Sequence, residues 1–479
     1  MLRHVVLATF ASFFFAGTAG GQNAPTDSAA RWVDSIFAPY ASRQSPGCAV
    51  GVTRRGALVL SRGYGMADLE HDTPITPTTR FYIASLSKQF TAMSIILLAQ
   101  DGRLSLDDSI QKWVPEVPSF GAKITLRHLL QHTSGLRDYF TLLALSGWPT
   151  DGQLSEQQLL SLVSRQKSLN FNPGDEFLYS NTGYALLAIV VKRVSGKPLS
   201  QYAAENIFKP LGMMNSMFRD DHTMLVPHRA LGYQLVGSTY HISQPQFDVV
   251  GDGGVYSTVE DLAKWDANFR TGKVGGKQAI SLLQTPGKLN DGQPIPYALA
   301  VSVGEFHGLK TFSHSGSYGG YRSNFLRVPD RNVSVITLCN TSDVPNTIAE
   351  QVASVVLNFA AQKTTIASIG LPTSSIWLSG TAQSPNDSTA VRLRASQLAQ
   401  IAGKYYSSEL DLPITIVARE SALILQRAQF DELRFSPVSD DLFTNSDQML
   451  LKVVRDDRGN VSGLRLTINR VRDLEFSRR

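Results

Sequence analysis

Apolar positions along this chain change spacing twice, and the changes divide it. In the first stretch, residues 48–53 and 57–64 form apolar runs around Arg54-Arg55-Gly56, the pattern of a strand hairpin. From Ser85 onward the spacing becomes helical. Leu86, Phe90, Met93, Ile95, Ile96, Leu97 and Leu98 cover nearly every side of one segment, which predicts a helix buried all round and ended by Asp101-Gly102. A second apolar helix is expected over 182–194, closed by Ser195-Gly196. An amphipathic one starts near Ser155 with Gln158 completing a capping box. Helices dominate to about residue 270, and strands then return at 310–313, 321–328 and 333–339, the last two joined by Pro329-Asp330-Arg331-Asn332. Helices over 27–40 and 348–361 complete the region. Strands at both ends with helices between them predict an α+β fold, an antiparallel sheet flanked by helices plus an all-helical subdomain.

Past residue 395 the texture is short and alternating. Runs at 414–418, 422–426, 450–455 and 463–469, with a turn at Asp456-Asp457-Arg458-Gly459-Asn460, predict a small antiparallel β-barrel. The Ser-, Thr-, Gly- and Pro-rich stretch 364–389 reads as a linker. At the other end, Arg3 and His4 precede an apolar run over 5–15 and small residues over 16–21. That is the pattern of a secretory signal peptide cut near Gly21, too short to span a bilayer and lacking the Cys of a lipid anchor. The expected organisation is a signal peptide at 1–21, an α+β domain at 22–363, a linker at 364–395 and a barrel domain at 396–479. The destination is then periplasmic or secreted, with no stable membrane insertion once the leader is removed.

With 479 residues, 43% of them hydrophobic, the chain can bury a large core. Setting aside Arg3 from its 45 Lys and Arg leaves 44 basic against 40 acidic residues, an excess too slight to argue for nucleic acid. The two cysteines, Cys48 and Cys339, make no disulfide scaffold.

Candidate chemistry begins at Ser85-Leu86-Ser87-Lys88. Residues three apart share a helix face, so the Lys88 amine reaches the Ser85 hydroxyl and can take its proton during nucleophilic attack. Ser-x-x-Lys recurs at Ser109/Lys112 and Ser164/Lys167, both on polar, solvated helix faces. A Lys inside an apolar helix, by contrast, needs polar groups converging on it. Two further motifs follow: Tyr179-Ser180-Asn181, where Ser180 or Asn181 also reads as a helix N-cap, and His314-Ser315-Gly316 where a strand should meet a turn. Lys273-Val274-Gly275 lies in a Gly-rich connection with no strand pattern after it. His128 and His132, four apart, lack the acidic partner of a zinc-protease motif, and no metal or other cofactor is expected.

Ser-x-x-Lys, Tyr-x-Asn and (Lys/His)-x-Gly in this order resemble the penicillin-recognising serine hydrolases, and the Tyr-Ser-Asn and His-x-Gly variants are most similar to the branch holding class C β-lactamases, DD-peptidases and CubicO-group esterases and peptidases. Supporting stretches are 129–136, Pro173-Gly174-Asp175, Pro210-Leu211-Gly212-Met213 and 253–258 running into 261–265, so the likeness spans roughly 30 to 360. The barrel resembles lipocalin-like C-terminal domains attached to some members, without diagnostic motifs. It is expected either to pack structurally or to cover part of the active-site mouth.

The resemblance implies a β-lactamase-like fold and a Ser85 acyl-enzyme on a small-molecule ester, amide or peptide. Ser85, Lys88 and Tyr179 would be catalytic; Asn181, His314, Gly316 and Ser317 would bind substrate, with the Ser85 and Ser317 N–H groups as oxyanion donors. Making Tyr179 a phenolate at pH 7 costs about 4 kcal/mol, and a Lys88 cation about 4 Å away returns a comparable amount, so either group can serve as base. His314 stands where many β-lactamases carry Lys. With an ordinary pKa it is charged in about a quarter of molecules at pH 7, which disfavours efficient β-lactam turnover and favours an esterase or a D-amino-acid or small-peptide peptidase. The alternatives are a cell-wall DD-carboxypeptidase or weak β-lactamase, and an inactive binding protein of this fold. In the implied fold the first and last strands of the sheet are neighbours, so an oxidising destination permits a Cys48–Cys339 bond, but buried free thiols are the expectation. The sequence sets no oligomeric state.

Overall fold

The computed structural model describes residues 26–149, 152–359, 391–427 and 432–479. The expected signal peptide and most of the expected linker lie outside the described residues.

Six antiparallel strands make the central sheet, in the order Ser302–Phe306, Leu309–Tyr318, Tyr321–Val328, Val333–Cys339, Cys48–Arg54 and Ala57–Tyr64. Alternation sorts their side chains to two faces. Val50, Val52 and Val335 pack against Val33, Phe37 and Val352, which belong to helices Asp27–Phe37 and Ile348–Val356. Ala49, Ile336 and Leu338 point the other way, into the core that also holds Trp265 of helix Val259–Thr271. Both faces are therefore covered, and Cys48–Arg54 is buried along nearly its whole length. Gly51 lets the sheet lie close against helix Val259–Thr271: a Cβ there would lie 3.2 Å from the Val259 side chain.

Cys48 stands opposite Cys339 in the strand register, and the two form a disulfide with Cα atoms 4.0 Å apart. This corrects the expectation of free thiols. The partners are 291 residues apart, and only the strand pairing brings them together.

Helix Lys88–Gln100 runs through the helical region beside Asn181–Ser195, and both are buried over most of their length. Two local details differ from expectation, and a third concerns a helix cap. Ser85 lies in a 3₁₀ turn, Ala84–Ser87, just ahead of the α-helix. Strand Leu309–Tyr318 continues straight through His314-Ser315-Gly316, and the turn waits until Gly319. The cap of Val259–Thr271 is Thr258, accepting from the Asp261 N–H, because Ser257 is held in a strand opposite Phe81 and its hydroxyl meets Ser216.

Eight strands from Gly403–Ser407 to Val471–Arg478 close into a barrel, the last pairing with the first. Its interior is filled by alternate apolar residues, among them Ile416, Leu425, Phe435, Leu451, Leu466 and Phe476. The barrel docks on the helical region through polar contacts. Arg137 pairs with Glu409, both buried, and also donates to the Arg472 carbonyl at 2.8 Å. Arg427 donates to the Leu145 carbonyl at 2.9 Å, and Arg472 pairs with Glu176. Among the described residues no helix is long and apolar enough to cross a membrane.

Candidate active site

The turn carrying Ser85 is shaped by its neighbours. Ala84 sits in the left-handed region at φ 47°, unusual for a residue with a Cβ, and marks local strain just before the hydroxyl. Ser323 Oγ donates to the Ile83 carbonyl at 2.7 Å, and a Cβ on Gly316 would lie 2.2 Å from that same carbonyl oxygen. Only glycine lets strand Leu309–Tyr318 press this close, which accounts for the third residue of His-Ser-Gly and sets Ser317 beside the Ser85 turn.

Lys88 is fully buried. Its Nζ lies 3.0 Å from Ser85 Oγ, 2.9 Å from Asn181 Oδ1 and 2.7 Å from the Asp252 carbonyl oxygen. A neutral amine has two N–H groups and one lone pair. The two carbonyl-type acceptors take both N–H groups and leave the lone pair for the Ser85 proton. Burial disfavours the ammonium and brings the Lys88 pKa down to about 7 against the pull of Asp252. Asp252, itself buried, is pushed up to about 6, and Tyr139 donates to its Oδ2 at 3.0 Å.

Asn181 is aimed by Asp138. Asp138 Oδ2 accepts from the Asn181 backbone N–H at 2.7 Å and from its Nδ2 at 2.9 Å, which turns Oδ1 toward Lys88. Tyr179 faces the Ser85 hydroxyl, and Lys88 Nζ lies 4.9 Å from the centre of its ring. Burial holds the phenol well above its ordinary range, so it is protonated at neutral pH. His132 stacks on Tyr179 with ring centres 4.0 Å apart, and its Nδ1 accepts from the Ser180 N–H at 3.1 Å.

His314 is 2.7 Å from the Ser315 carbonyl through Nδ1 and 2.9 Å from the Tyr297 hydroxyl through Nε2. A carbonyl can only accept, which assigns the proton to Nδ1 and makes Nε2 the acceptor for Tyr297. Burial, reinforced by Lys88, lowers its pKa to about 3, so the ring is neutral. Beyond Ser317, Tyr318 forms a half-buried aromatic cluster with Phe140 and Phe247, ring centres 5.3 to 5.6 Å apart.

The structure thus gathers Ser85, Lys88, Tyr179 and Asn181 into one contact set, with Gly316 against the Ser85 turn and His314 tied to Tyr297. The other Ser-x-x-Lys copies lie elsewhere. Lys112 pairs with Asp108 at the surface, and Ser164 ends an exposed helix face. Sequence reasoning missed Asp138, Asp252, Tyr297 and Arg470, and weighed His132 only as a metal ligand. Asp252 carried a usable signal, an acid inside Gly251-Asp252-Gly253-Gly254, where backbones approach closely. Arg470 carried none.

The family model described as Beta-lactamase matches residues 33–356, and the chain belongs to that family. A D-aminopeptidase of Gluconobacter oxydans is 27% identical over 333 residues, covering 68% of this chain and 62% of that protein. Penicillin-binding protein 4* of Bacillus subtilis is 30% identical over 303 residues, covering 60% of this chain and 66% of that protein. Each match spans less than two thirds of the relative's length. The octameric penicillin-binding protein homologue of Pyrococcus abyssi has a TM-score of 0.62 at 24% identity and covers 94% of this chain and 99% of that one, a likeness of fold alone.

Proposed function

We propose that this chain is a serine hydrolase that forms an acyl-enzyme on Ser85 from esters or amides with no carboxylate beside the scissile bond, among them D-amino-acid amides and small peptides. The carrying observation is the Lys88 amine, 3.0 Å from Ser85 Oγ with two other acceptors already on it. Neutral Lys88 takes the Ser85 proton as Oγ bonds to the acyl carbon. The carbonyl electrons move onto oxygen, toward the N–H groups of Ser85 and Ser317. As the tetrahedral adduct collapses, Tyr179 protonates the departing alkoxide or amine and is reprotonated from Lys88. Water then repeats the sequence and releases the acid.

Substrate choice follows from two features. Neutral His314 supplies no fixed cation for a substrate carboxylate, so β-lactams and D-Ala-D-Ala peptides are expected to be poor substrates. The Phe140, Phe247 and Tyr318 rings favour an apolar acyl group beside Ser317. The D-aminopeptidase relative supports the amide side of this reading. An inactive binding protein would have no use for a desolvated amine aimed at a hydroxyl. Export to the periplasm or medium belongs to the same proposal and is supported by the Cys48–Cys339 bond. So does the division into a catalytic domain over 22–363 and a barrel domain over 396–479.

The test is a fluorophosphonate probe on wild type and Ser85→Ala, followed by turnover on short esters, D-amino-acid amides and nitrocefin. Labelling that needs Ser85, with ester or amide turnover well above nitrocefin, supports the proposal. An unlabelled wild type, or nitrocefin as the best substrate, rejects it.

A further inference from the structure

Among the described residues, one charged side chain at the site makes no hydrogen bond. Arg470 sits at the tip of the hairpin between Val461–Ile468 and Val471–Arg478, and the barrel carries it into the helical region. Its main chain is pinned there. The Arg470 carbonyl accepts from Asn170 Nδ2 at 2.9 Å and from the Asp138 N–H at 3.3 Å, and the next arginine's N–H donates to Asn170 Oδ1 at 2.8 Å. The side chain is only 3% exposed, and its Nε and Nη1 have no hydrogen-bond partner. Its nearest acid oxygen, Asp138 Oδ2, is 3.9 Å away and already holds Asn181 twice. What the guanidinium does meet is the Tyr179 ring, whose centre is 4.7 Å from Cζ. A desolvated guanidinium is costly without compensation, and an aromatic face offers part of it.

A cation in this place acts on both proton carriers in the same direction. It opposes a second positive charge on Lys88, and it favours negative charge on Tyr179. We propose that Arg470 is a positioning residue that keeps the Ser85, Lys88 and Tyr179 set in its basic form, so that the acyl transfer put forward above, on which this inference rests, depends on the docked barrel. The other charges facing the pair are Asp252 and Asp138, which pull the opposite way, while His132 and His314 are held neutral by burial. Arg470 is thus the one cation among these neighbours that offsets two buried carboxylates. Charges about 6 to 8 Å apart at an effective dielectric near 20 move one another's titration by about one to two pH units.

The experiment is the pH dependence of kcat/KM for an uncharged ester, measured on the full chain for wild type, Arg470→Gln, Arg470→Lys and Arg472→Gln. Wild type should lose activity on the acid side with a midpoint near 7, where Lys88 takes up a proton. The Gln variant should move that midpoint up by about one unit, the Lys variant should restore most of the shift, and Arg472→Gln should leave it in place. A Gln variant with a lower rate and an unmoved midpoint overturns the inference, since a structural role alone would do that. Should thermal melting show that Gln does not fold, Arg470→Met, which keeps the apolar stem over the ring, gives the same readout. A wild type without fluorophosphonate labelling rejects the hydrolase reading and the Arg470 role together. Labelling with an unmoved midpoint rejects the Arg470 role alone.

Discussion

The sandwich and the barrel are built alike in one respect and opposite in another. Both bury alternating apolar side chains, yet they put their buried polar groups to different use. In the sandwich, Lys88, Asn181, Asp138 and Asp252 are buried together and satisfy one another around Ser85. In the barrel, the buried polar side chains among the described residues are Ser407, Glu409 and Arg470, and both charged ones face the sandwich. The barrel therefore has an inert interior and a chemically specific seam. The difference teaches where to look for its contribution: in what it presents to Tyr179 and Arg137, and not inside its own core.

The largest expected effect separates chemistry from scaffolding. Ser85→Ala should lower ester turnover by at least about 10³-fold while melting stays near wild type; residual activity close to wild type would move the chemistry elsewhere. Next is the seam. Glu409→Ala strands Arg137 in a buried site and should cost about 3–5 kcal/mol in denaturant unfolding; a cost under about 1 kcal/mol would mean that the barrel docks by shape alone. Reducing the Cys48–Cys339 bond should cost about 2–5 kcal/mol, read as a lower melting temperature with dithiothreitol than without.

Acid sharpens the comparison further, because histidines are buried in the sandwich while the barrel has none. His314 and His132 are neutral when folded and take up a proton near pH 6.5 once unfolded. The unfolded chain thus binds more protons, so this stability is fully present above about 6.5 and drains away as pH falls toward 3. Unfolding at pH 4.5 should show a loss on the order of 5 kcal/mol relative to pH 7, roughly half from each histidine, and about halved in His314→Asn; an unchanged slope in that variant would show that the imidazole is already solvated. Smallest is Phe247→Ala, expected to lower preference for aromatic over acetyl esters by about tenfold. Equal loss on both esters would place that ring outside the acyl site.

Much of the sandwich was legible because its signals are local. The hairpin of Tyr321–Val328 and Val333–Cys339 falls where the alternation placed it, and three short motifs named Ser85, Lys88, Tyr179, Asn181 and His314 before any contact was known. What stayed hidden depends on pairing across the chain. The disulfide needs a register between strands from opposite ends. Asp138 reads as a helix cap, which it is, accepting from the Thr141 N–H at 3.1 Å, and nothing nearby shows that its second oxygen aims Asn181. Arg470 looks like an ordinary turn arginine until the barrel is docked. Ser257 and Thr258 are both local candidates to cap Val259–Thr271, and only the strand pairing that ties up Ser257 shows that Thr258 is the one left free.

The most direct test of the central claim is the rate of Ser85 phosphonylation as a function of pH in wild type and Lys88→Ala, with the adduct mapped by peptide mass spectrometry. If a neutral Lys88 amine draws the proton from Ser85, the wild-type rate rises with a midpoint near 7 and the Lys88→Ala rate falls by at least about 10²-fold, with the adduct on Ser85. An adduct on another residue, or a Lys88→Ala protein that labels at the wild-type rate, would contradict it.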